Sequence, residues 1–410
     1  MKERPEVQLL VLVTLGLVAF GLVMVYSATS AAAALGDGDP GYYLKRQAFY
    51  ALVGLGGLLV ASRLDYRALR LLAPPLVLGS LALCAAVLVV AEPINGARRW
   101  IPLGPATFQP SELAKLSLAI WLAAYLARRP APRTLGELVR PIGLLTGLFC
   151  ALIILEPDLG TTISLTVMVA ATLLVAGVPF RPLAAGGGLM AGLGALAIWL
   201  EPYRRERFMA FLDPWKDPEG TGFQTVQALV GMGSGGFFGR GLGESVQKVF
   251  YLPEAHTDMI FAIIGEELGL VGAVAVIAAY GVFAYAGLRV ALRCKQPFGK
   301  LLAAALTTLV AGQAAINLAA VLAIAPLTGI PLPFVSYGGS NLVVQLTSVG
   351  VLLNIARNER ASRRAAVPDR GRRDGGTRAP RARSGGRVAE QRRVGELRRV
   401  AGARRGAARP

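Results

Sequence analysis

Ten apolar runs recur along the chain, separated by shorter polar stretches: Leu9–Ser27, Gln47–Ser62, Leu71–Ala91, Leu113–Ala127, Pro141–Leu155, Gly160–Val178, Pro182–Leu200, Met259–Arg289, Leu301–Ala325 and Leu342–Ile355. Several approach or exceed the ~20 residues that carry a helix across a bilayer. Leu113–Ala127 is short and needs flanking residues or tilt to fit. The pattern predicts an all-α polytopic membrane protein with ten transmembrane helices. One long connection, residues 201–258, separates helices 7 and 8, and loops of that length are usually functional. Its first half, EPYRRERFMAFLDPWKDPEG, mixes charge with aromatics. Its second half, GFQTVQALVGMGSGGFFGRGLGESVQK, reads as a short amphipathic helix followed by a glycine-rich turn, expected to lie on the outer membrane face.

Lysine and arginine set the orientation. With the N-terminus inside, the short inner loops hold Lys2, Arg4, Arg63, Arg67, Arg70, Arg128, Arg129, Arg133, Arg140, Arg181, Arg289, Arg293, Lys295 and Lys300. The short outer loops hold Lys45, Arg46, Arg98 and Arg99. Ten spans then return the C-terminus to the cytoplasm, so both termini are cytoplasmic and 201–258 is extracytoplasmic. The first run is too long for an ordinary signal-peptide core and nine more follow it, which argues against cleavage.

Composition adds one correction to this picture. The chain carries a net charge of +18, but the segment 357–410 contributes +13 of it through 18 arginines. That segment has no sustained apolar period and reads as a disordered, Arg-rich cytoplasmic tail attracted to anionic membrane lipids, not as a nucleic-acid module. The integral domain is therefore 1–356. The three cysteines, Cys84, Cys150 and Cys294, lie in or beside spans and form no CxxC; with a single histidine, this argues against zinc and against a disulfide framework. Gly231, Gly233 and Gly236 match GxGxxG, but no strand precedes them, so the dinucleotide reading fails on context.

Polar residues gather at the outer ends of the spans. Glu254, His256 and Asp258 immediately precede the eighth run, which itself contains Glu266 and Glu267. Ionisable groups at or inside a membrane helix are costly and are functional candidates by default. For Asp258 the plainer alternative is a helix cap, supplied by it or by Thr257. Arg98, Arg99 and Trp100 precede QPSELAKL, where Ser111 is placed to cap the fourth span and Glu112 and Lys115 share one face. Lys115 is then either a substrate cation or merely neutralised by Glu112. Glu156 and Asp158 of EPDLGTT read equally well as a solvated turn or a site. The uncharged segment LTGIPLPFVSYGGSN, residues 327–341, breaks helix at Pro331, Pro333, Gly338 and Gly339, and such backbone is tolerated only against protein or a wet cavity. Gln313 and Asn317 either line that cavity or join helices. Cations suit phosphate or pyrophosphate, and a sheltered carboxylate suits a general base. A lipid with an anionic head fits, and transfer and transport of it remain equally open from the residues alone.

The motifs GARRWI, QPSELAKL, EPDLGTT, FLDPWKDPEGTGFQ, GLGESVQKVFYLPEAHTDMIFAIIGEELGL and LPFVSYGGSN together resemble the SEDS family (shape, elongation, division, sporulation), over nearly all of residues 8–356. DPW at Asp213–Trp215 and GESVQK at Gly243–Lys248 are most similar to the division and sporulation members. The resemblance implies a peptidoglycan glycosyltransferase that polymerises lipid II at the outer face of a bacterial cytoplasmic membrane, at the division septum. Its implied partners are a class B penicillin-binding protein and other divisome membrane proteins. The family's essential aspartate falls on Asp258, its basic residues on Arg98, Arg99 and Lys115, and the partner of that lysine on Glu112. His256 is the rival base, and Ser336, Gly338 and Ser340 are further candidate substrate contacts. No ligand cluster demands a metal, although a divalent cation, Mg²⁺ or Mn²⁺, bridging Asp258 and pyrophosphate is compatible with the residues. The competing readings are a lipid II flippase, an elongation-type polymerase, and a scaffold for which Asp258 would be dispensable. Glu266 and Glu267 are expected to be polar contacts inside the bundle.

Overall fold

The computed structural model describes residues 5–35, 39–93, 96–104, 106–249 and 252–365. Contacts divide the chain into a unit through Arg364 and a second unit, Ala365–Pro410, of which only Ala365 is described. The greater part of the Arg-rich tail, and Lys2 and Arg4 of the orientation argument, lie outside the described residues.

All ten apolar runs fold as helix. They are α1 (Pro5–Leu35), α2 (Tyr42–Arg63), α3 (Leu69–Val90), α4 (Pro110–Leu126), α5 (Leu135–Leu138) continuing through a π turn into α6 (Leu144–Leu155), α7 (Leu159–Val175) and α8 (Phe180–Leu200). After the long connection, which forms α9 (Pro202–Leu212) and α10 (Phe223–Ser234), come α11 (Ile260–Arg293), α12 (Pro297–Val321) and α13 (Gly339–Ala365). Seven helical stretches are long and apolar enough to cross a membrane: Pro5–Ser30, Tyr66–Val90, Leu135–Leu155, Phe180–Leu200, Ile260–Arg293, Pro297–Val321 and Gly339–Asn358. The chain is thus a multi-pass α-helical membrane protein. Among the other runs, α4 and α7 have 17 residues each, about 26 Å of helix against the ~30 Å hydrocarbon core. Among the described residues the only sheet is a small antiparallel hairpin between α3 and α4, β1 (Ile101–Leu103) and β2 (Ala106–Phe108).

α4, α12 and α13 are largely enclosed, while α8 buries only Pro182. α12 packs against α11, α7 and α4. Lipid tails are as apolar as leucine, so close packing and polar contacts hold such a bundle together. Small residues permit the approach: a Cβ at Gly350 of α13 would strike the Leu58 carbonyl of α2, and one at Gly287 of α11 would strike the Thr307 side chain of α12.

The connection 201–258 folds onto the bundle. α10 is the short helix foreseen, and it buries Thr225, Val226, Ala228 and Gly231. It packs on α11, and the glycine-rich turn after it runs alongside α11. Glycine is the reason. A Cβ at Gly235 would collide with the Gly265 carbonyl, and one at Gly239 with the Glu267 carbonyl. α11 breaks locally at Gly269, with φ 65° and ψ −163°. The backbone groups released there pair with the turn: Arg240 N–H donates to Glu266 O (3.0 Å), Gly241 N–H to Glu267 O (3.0 Å), Leu270 N–H to Gly236 O (2.9 Å) and Val271 N–H to Phe237 O (3.1 Å). Gly269→Ala is expected to destabilise the protein by at least ~1–3 kcal/mol, since this backbone region is essentially restricted to glycine. Its added Cβ would also meet Gly239 N and Phe237 C. A lower melting temperature in detergent checks this; an unchanged one refutes the close-packed junction.

Candidate active site

The helix-breaking segment after α12 is the floor of the site. A Cβ at Gly21 of α1 would meet Phe334 O, and one at Gly160 of α7 would meet Thr328 O, so this irregular backbone is enclosed by protein. Its polar groups are matched individually. Gln313 Nε2 donates to Pro331 O (2.9 Å), Asn317 Nδ2 to Ile330 O (2.9 Å), Gln47 Nε2 to Ser336 O (3.0 Å), and Leu332 N–H to Ser336 Oγ (2.8 Å). Gly338 N–H reaches Gln47 Oε1 at 3.4 Å. Ser340 Oγ accepts from Gln109 N–H and donates to Thr107 O, both at 3.0 Å. Ser336, Gly338 and Ser340 therefore fasten this segment to α2, to the β2 strand and to themselves.

Asp258 sits above that floor, in the turn leading into α11. Glu254 adopts a left-handed conformation (φ 55°), and its carbonyl accepts from the N–H groups of Thr257 (3.1 Å) and Met259 (3.4 Å). Asn317 Nδ2 holds Asp258 O at 2.8 Å, and Tyr337 N–H holds His256 O at 2.9 Å. The turn is thus pinned from α12 and from the floor. Neither Thr257 nor Asp258 caps α11, whose N-cap is Met259 without a side-chain bond. The Asp258 carboxylate accepts from Thr257 Oγ1 at 3.3 Å and from its own main-chain N–H. Burial, and then the Glu254 charge, push its pKa up to about 6, while the charge of Arg207 on α9 opposes the rise. His256 has a different environment: its ring lies 4.5 Å from that of Tyr43 and 5.6 Å from that of Tyr337. Burial lowers its pKa despite Glu254, so the imidazole is held neutral and packed among aromatics.

The basic candidates separate into two environments. Lys115 is fully buried, with Nζ 2.9 Å from Glu112 Oε1 and 2.8 Å from Gln313 Oε1. Glu112 Oε2 accepts from Asn341 Nδ2 (3.0 Å), and Gln313 Oε1 also accepts from Gln345 Nε2 (3.1 Å). This network ties α4 to α12 and α13 and encloses the Lys115 charge. Arg98 is exposed and donates to Leu88 O at 2.9 Å. Arg99 donates from Nε to Glu156 O (2.9 Å) and from Nη2 to Pro157 O, and stacks over Trp100. Ser111 does not cap α4: the helix starts at Pro110 with Gln109 as N-cap, and Ser111 is buried without a hydroxyl partner.

EPDLGTT is no solvated turn. Both of its carboxylates are buried. Asp158 caps α7, accepting from Thr161 N–H (2.9 Å) and Gln109 Nε2 (3.1 Å). Glu156 faces the Cys84 thiol, and burial, then the Asp158 charge, push its pKa up to about 8 despite Arg99 and that thiol. Glu266 and Glu267 are polar contacts inside the bundle, as expected. Glu266 accepts from Ser245 Oγ (2.5 Å), Val246 N–H (3.0 Å) and Arg240 Nη1 (3.3 Å); Glu267 pairs with Lys248 Nζ (2.9 Å) and Ser27 Oγ (2.7 Å). Lys248 was not singled out by sequence reasoning, because its partner stands 19 residues away across a turn.

Among the described residues no group of three or more His, Cys, Asp and Glu side chains gathers as a metal site. A divalent cation at Asp258 would draw on Glu254 as the nearby second carboxylate. Arg207 is the other residue that sequence reasoning missed. It lines a cleft of about 230 Å³ beneath α9, bordered by the turn that carries Asp258. The stretch there mixes charge with aromatics, and nothing in its spacing distinguishes Arg207 from Arg204 or Arg205.

The family model described as Cell cycle protein, covering FtsW, RodA and SpoVE, matches residues 7–361. A relative from Geobacter sulfurreducens, "Probable peptidoglycan glycosyltransferase FtsW", is 41% identical over 86% of this chain and 95% of its own length. One of the same description from Nitrosococcus halophilus is 43% identical over 83% and 89%. A solved structure reported under "Structural coordination of polymerization and crosslinking by a peptidoglycan synthase complex" superposes with a TM-score of 0.71 at 35% identity, over 85% of this chain and 97% of the other. The rod shape determining protein RodA of Thermus thermophilus superposes with a TM-score of 0.63 at 33% identity, over 85% and 96%.

Proposed function

The chain belongs to the SEDS family of FtsW, RodA and SpoVE cell-cycle proteins and is a peptidoglycan glycosyltransferase, and from that premise we propose the chemistry of its outer hollow. The single observation that carries the reading is Asp258: a sheltered carboxylate, not spent on helix capping, on a turn fixed from both α12 and the floor segment. In this reading all ten helices span the membrane with both termini cytoplasmic, so the hollow opens outward.

Asp258 takes the proton from the acceptor sugar's 4-hydroxyl as that oxygen forms a bond to the anomeric carbon of the donor. The anomeric carbon–oxygen bond to pyrophosphate breaks, and undecaprenyl pyrophosphate departs with the electron pair. Arg98 and Arg99 stand at the outer rim as cations for the anionic head. Lys115 and Glu112 act from beneath, by fixing α4 against α12 and α13. His256 positions the turn through Tyr43 and Tyr337. The similarity to the division-type relatives and to a chain of a peptidoglycan synthase complex supports a septal role beside a class B penicillin-binding protein that cross-links the product.

Asp258 must be ionised to accept the proton, so activity should fall on the acid side, with a midpoint near pH 6. Glu254→Gln removes a charge that raises this pKa, and the limb should move to lower pH. The measurement is the rate of glycan polymerisation from lipid II by protein and partner in detergent, read as chain length on gels. An acid limb unmoved by Glu254→Gln counts against Asp258 as the titrating base. Lipid translocation without polymer would return the flippase reading.

A further inference from the structure

We infer that Ser27, Lys248 and Glu267 form a tether between α1 and the part of the chain that carries Asp258, and that Ser27 and Lys248 are positioning residues for that carboxylate. The inference rests on the reading of Asp258 as the base and adds side chains, remote from it in sequence, that fix where it stands.

Three observations carry it. The first is the break in α11. In an unbroken helix the Leu270 and Val271 N–H groups donate to the carbonyls of residues 266 and 267. Here they donate to Gly236 O and Phe237 O, and Glu266 O and Glu267 O accept from Arg240 and Gly241. With Gly269 at φ 65°, the first turns of α11, residues 260–268, are bonded sideways to the glycine-rich turn, and the long remainder of the helix does not by itself set their position.

The second is the direction taken by the two carboxylates before that break. Glu266 accepts from Ser245 Oγ (2.5 Å) and from the N–H groups of Val246 (3.0 Å) and Gln247 (3.3 Å). Glu267 closes a buried triangle instead. Lys248 Nζ donates to Glu267 Oε1 (2.9 Å), Ser27 Oγ (3.3 Å) and Gly243 O (2.6 Å), and Ser27 Oγ donates to Glu267 at 2.7 Å. All three ammonium donors are matched, and the paired side chains are 2% and 0% exposed.

The third is the place of Asp258 relative to that triangle. Lys248 and Glu267 are 19 residues apart, and Asp258 lies between them. Leu252 N–H donates to Gln247 O (2.8 Å), and Leu252 and Ala255 are buried ahead of the base. The ion pair thus joins both ends of the loop that carries Asp258, and Ser27 fastens that junction to α1. Stability alone does not call for such a pair. Apolar residues of similar volume often replace a buried ion pair without loss, and ionisable groups inside a span are costly. The triangle supplies geometry, and a misplacement of about 1 Å can lower a rate on the order of 100-fold.

The test separates positioning from folding. Full-length protein is assayed with its class B penicillin-binding protein in detergent for kcat and KM, and alone for melting temperature and amide hydrogen exchange. Ser27→Ala leaves the ion pair and removes its link to α1; kcat should fall about tenfold with KM for lipid II within about twofold, and Ser27→Thr should recover part of the loss. Lys248→Met should lower the melting temperature by leaving Glu267 unpaired. Adding Glu267→Gln removes that charge, so the double variant should melt near the native temperature. Its kcat should stay at the Ser27→Ala level or below, and exchange across residues 252–258 should stay faster than native while 270–293 is unchanged. Native kcat in Ser27→Ala and the double variant overturns the proposal. So does a kcat that recovers in step with the melting temperature, which marks a purely structural pair, and so does a loss confined to KM. If Asp258→Asn protein still polymerises while exchange across 252–258 rises in the double variant, the base assignment fails and the tether stands. If Asp258→Asn protein is inactive and the double variant is native in rate and exchange, the tether fails and the base stands.

Discussion

Asp258→Asn should abolish useful lipid II polymerisation, with a loss of ~10²–10⁴-fold or more in rate, while the melting temperature stays at or slightly above the native value. The first part follows from removing a positioned base. The second follows from where the carboxylate sits. It accepts a long hydrogen bond from Thr257 and one from its own main-chain N–H, while its burial and the Glu254 charge both oppose ionisation. A neutral amide of the same shape relieves that opposition, and the turn retains its main-chain fastening to Asn317 and Tyr337. Loss of activity with a retained fold separates a catalytic group from a structural one. A variant that polymerises at the native rate would sink the assignment, and a parallel His256→Ala variant with full activity would remove the rival base.

Lys115→Met should be the most destabilising single change in the polar interior, by about 3–5 kcal/mol. It leaves the Glu112 carboxylate fully buried without its cation and takes a donor from Gln313. Activity should fall with stability, because Gln313 also holds Pro331 O of the floor segment. The control is Lys115→Met with Glu112→Gln. The amide removes the unpaired charge and still accepts from Asn341, so the double variant should recover more than half of the lost stability and part of the activity. Melting in detergent and glycan polymerisation are read on the same samples. A double variant that regains its melting temperature but no activity would return Lys115 to the substrate-binding role implied by the resemblance.

These two residues mark how far the sequence could be read. Asp258 was a candidate because an acidic turn beside a membrane helix is a local feature, and the family resemblance then ranked it above His256 as the base. For Lys115 the sequence left a substrate cation and a charge neutralised by Glu112 equally open. Only the packing of α4 against α12 reveals that Gln313, 198 residues away, closes over it. Glu156 and Asp158 follow the same logic, since their short turn reads equally well as solvated or as a site until Gln109 and Arg99 arrive from another part of the chain. Gly235 and Gly239 read as a surface turn because nothing local says that α11 breaks at Gly269 to receive them.

The sequence by itself determined the number and placement of the apolar helices and the family, and it supplied an expected side for the ionisable groups and a candidate base. All of these depend on bilayer thickness, loop charge and short motifs, which operate along the chain. The tertiary structure alone decided which charges are enclosed and which border the site, bringing Lys115 to Gln313 and Arg207 to the neighbourhood of Asp258. The physical reason lies in the helices themselves: apolar on nearly every side, they carry little amphipathic signal for which face turns inward. Partner choice then rests on small residues and buried polar pairs, contacts that exist only once the bundle has packed.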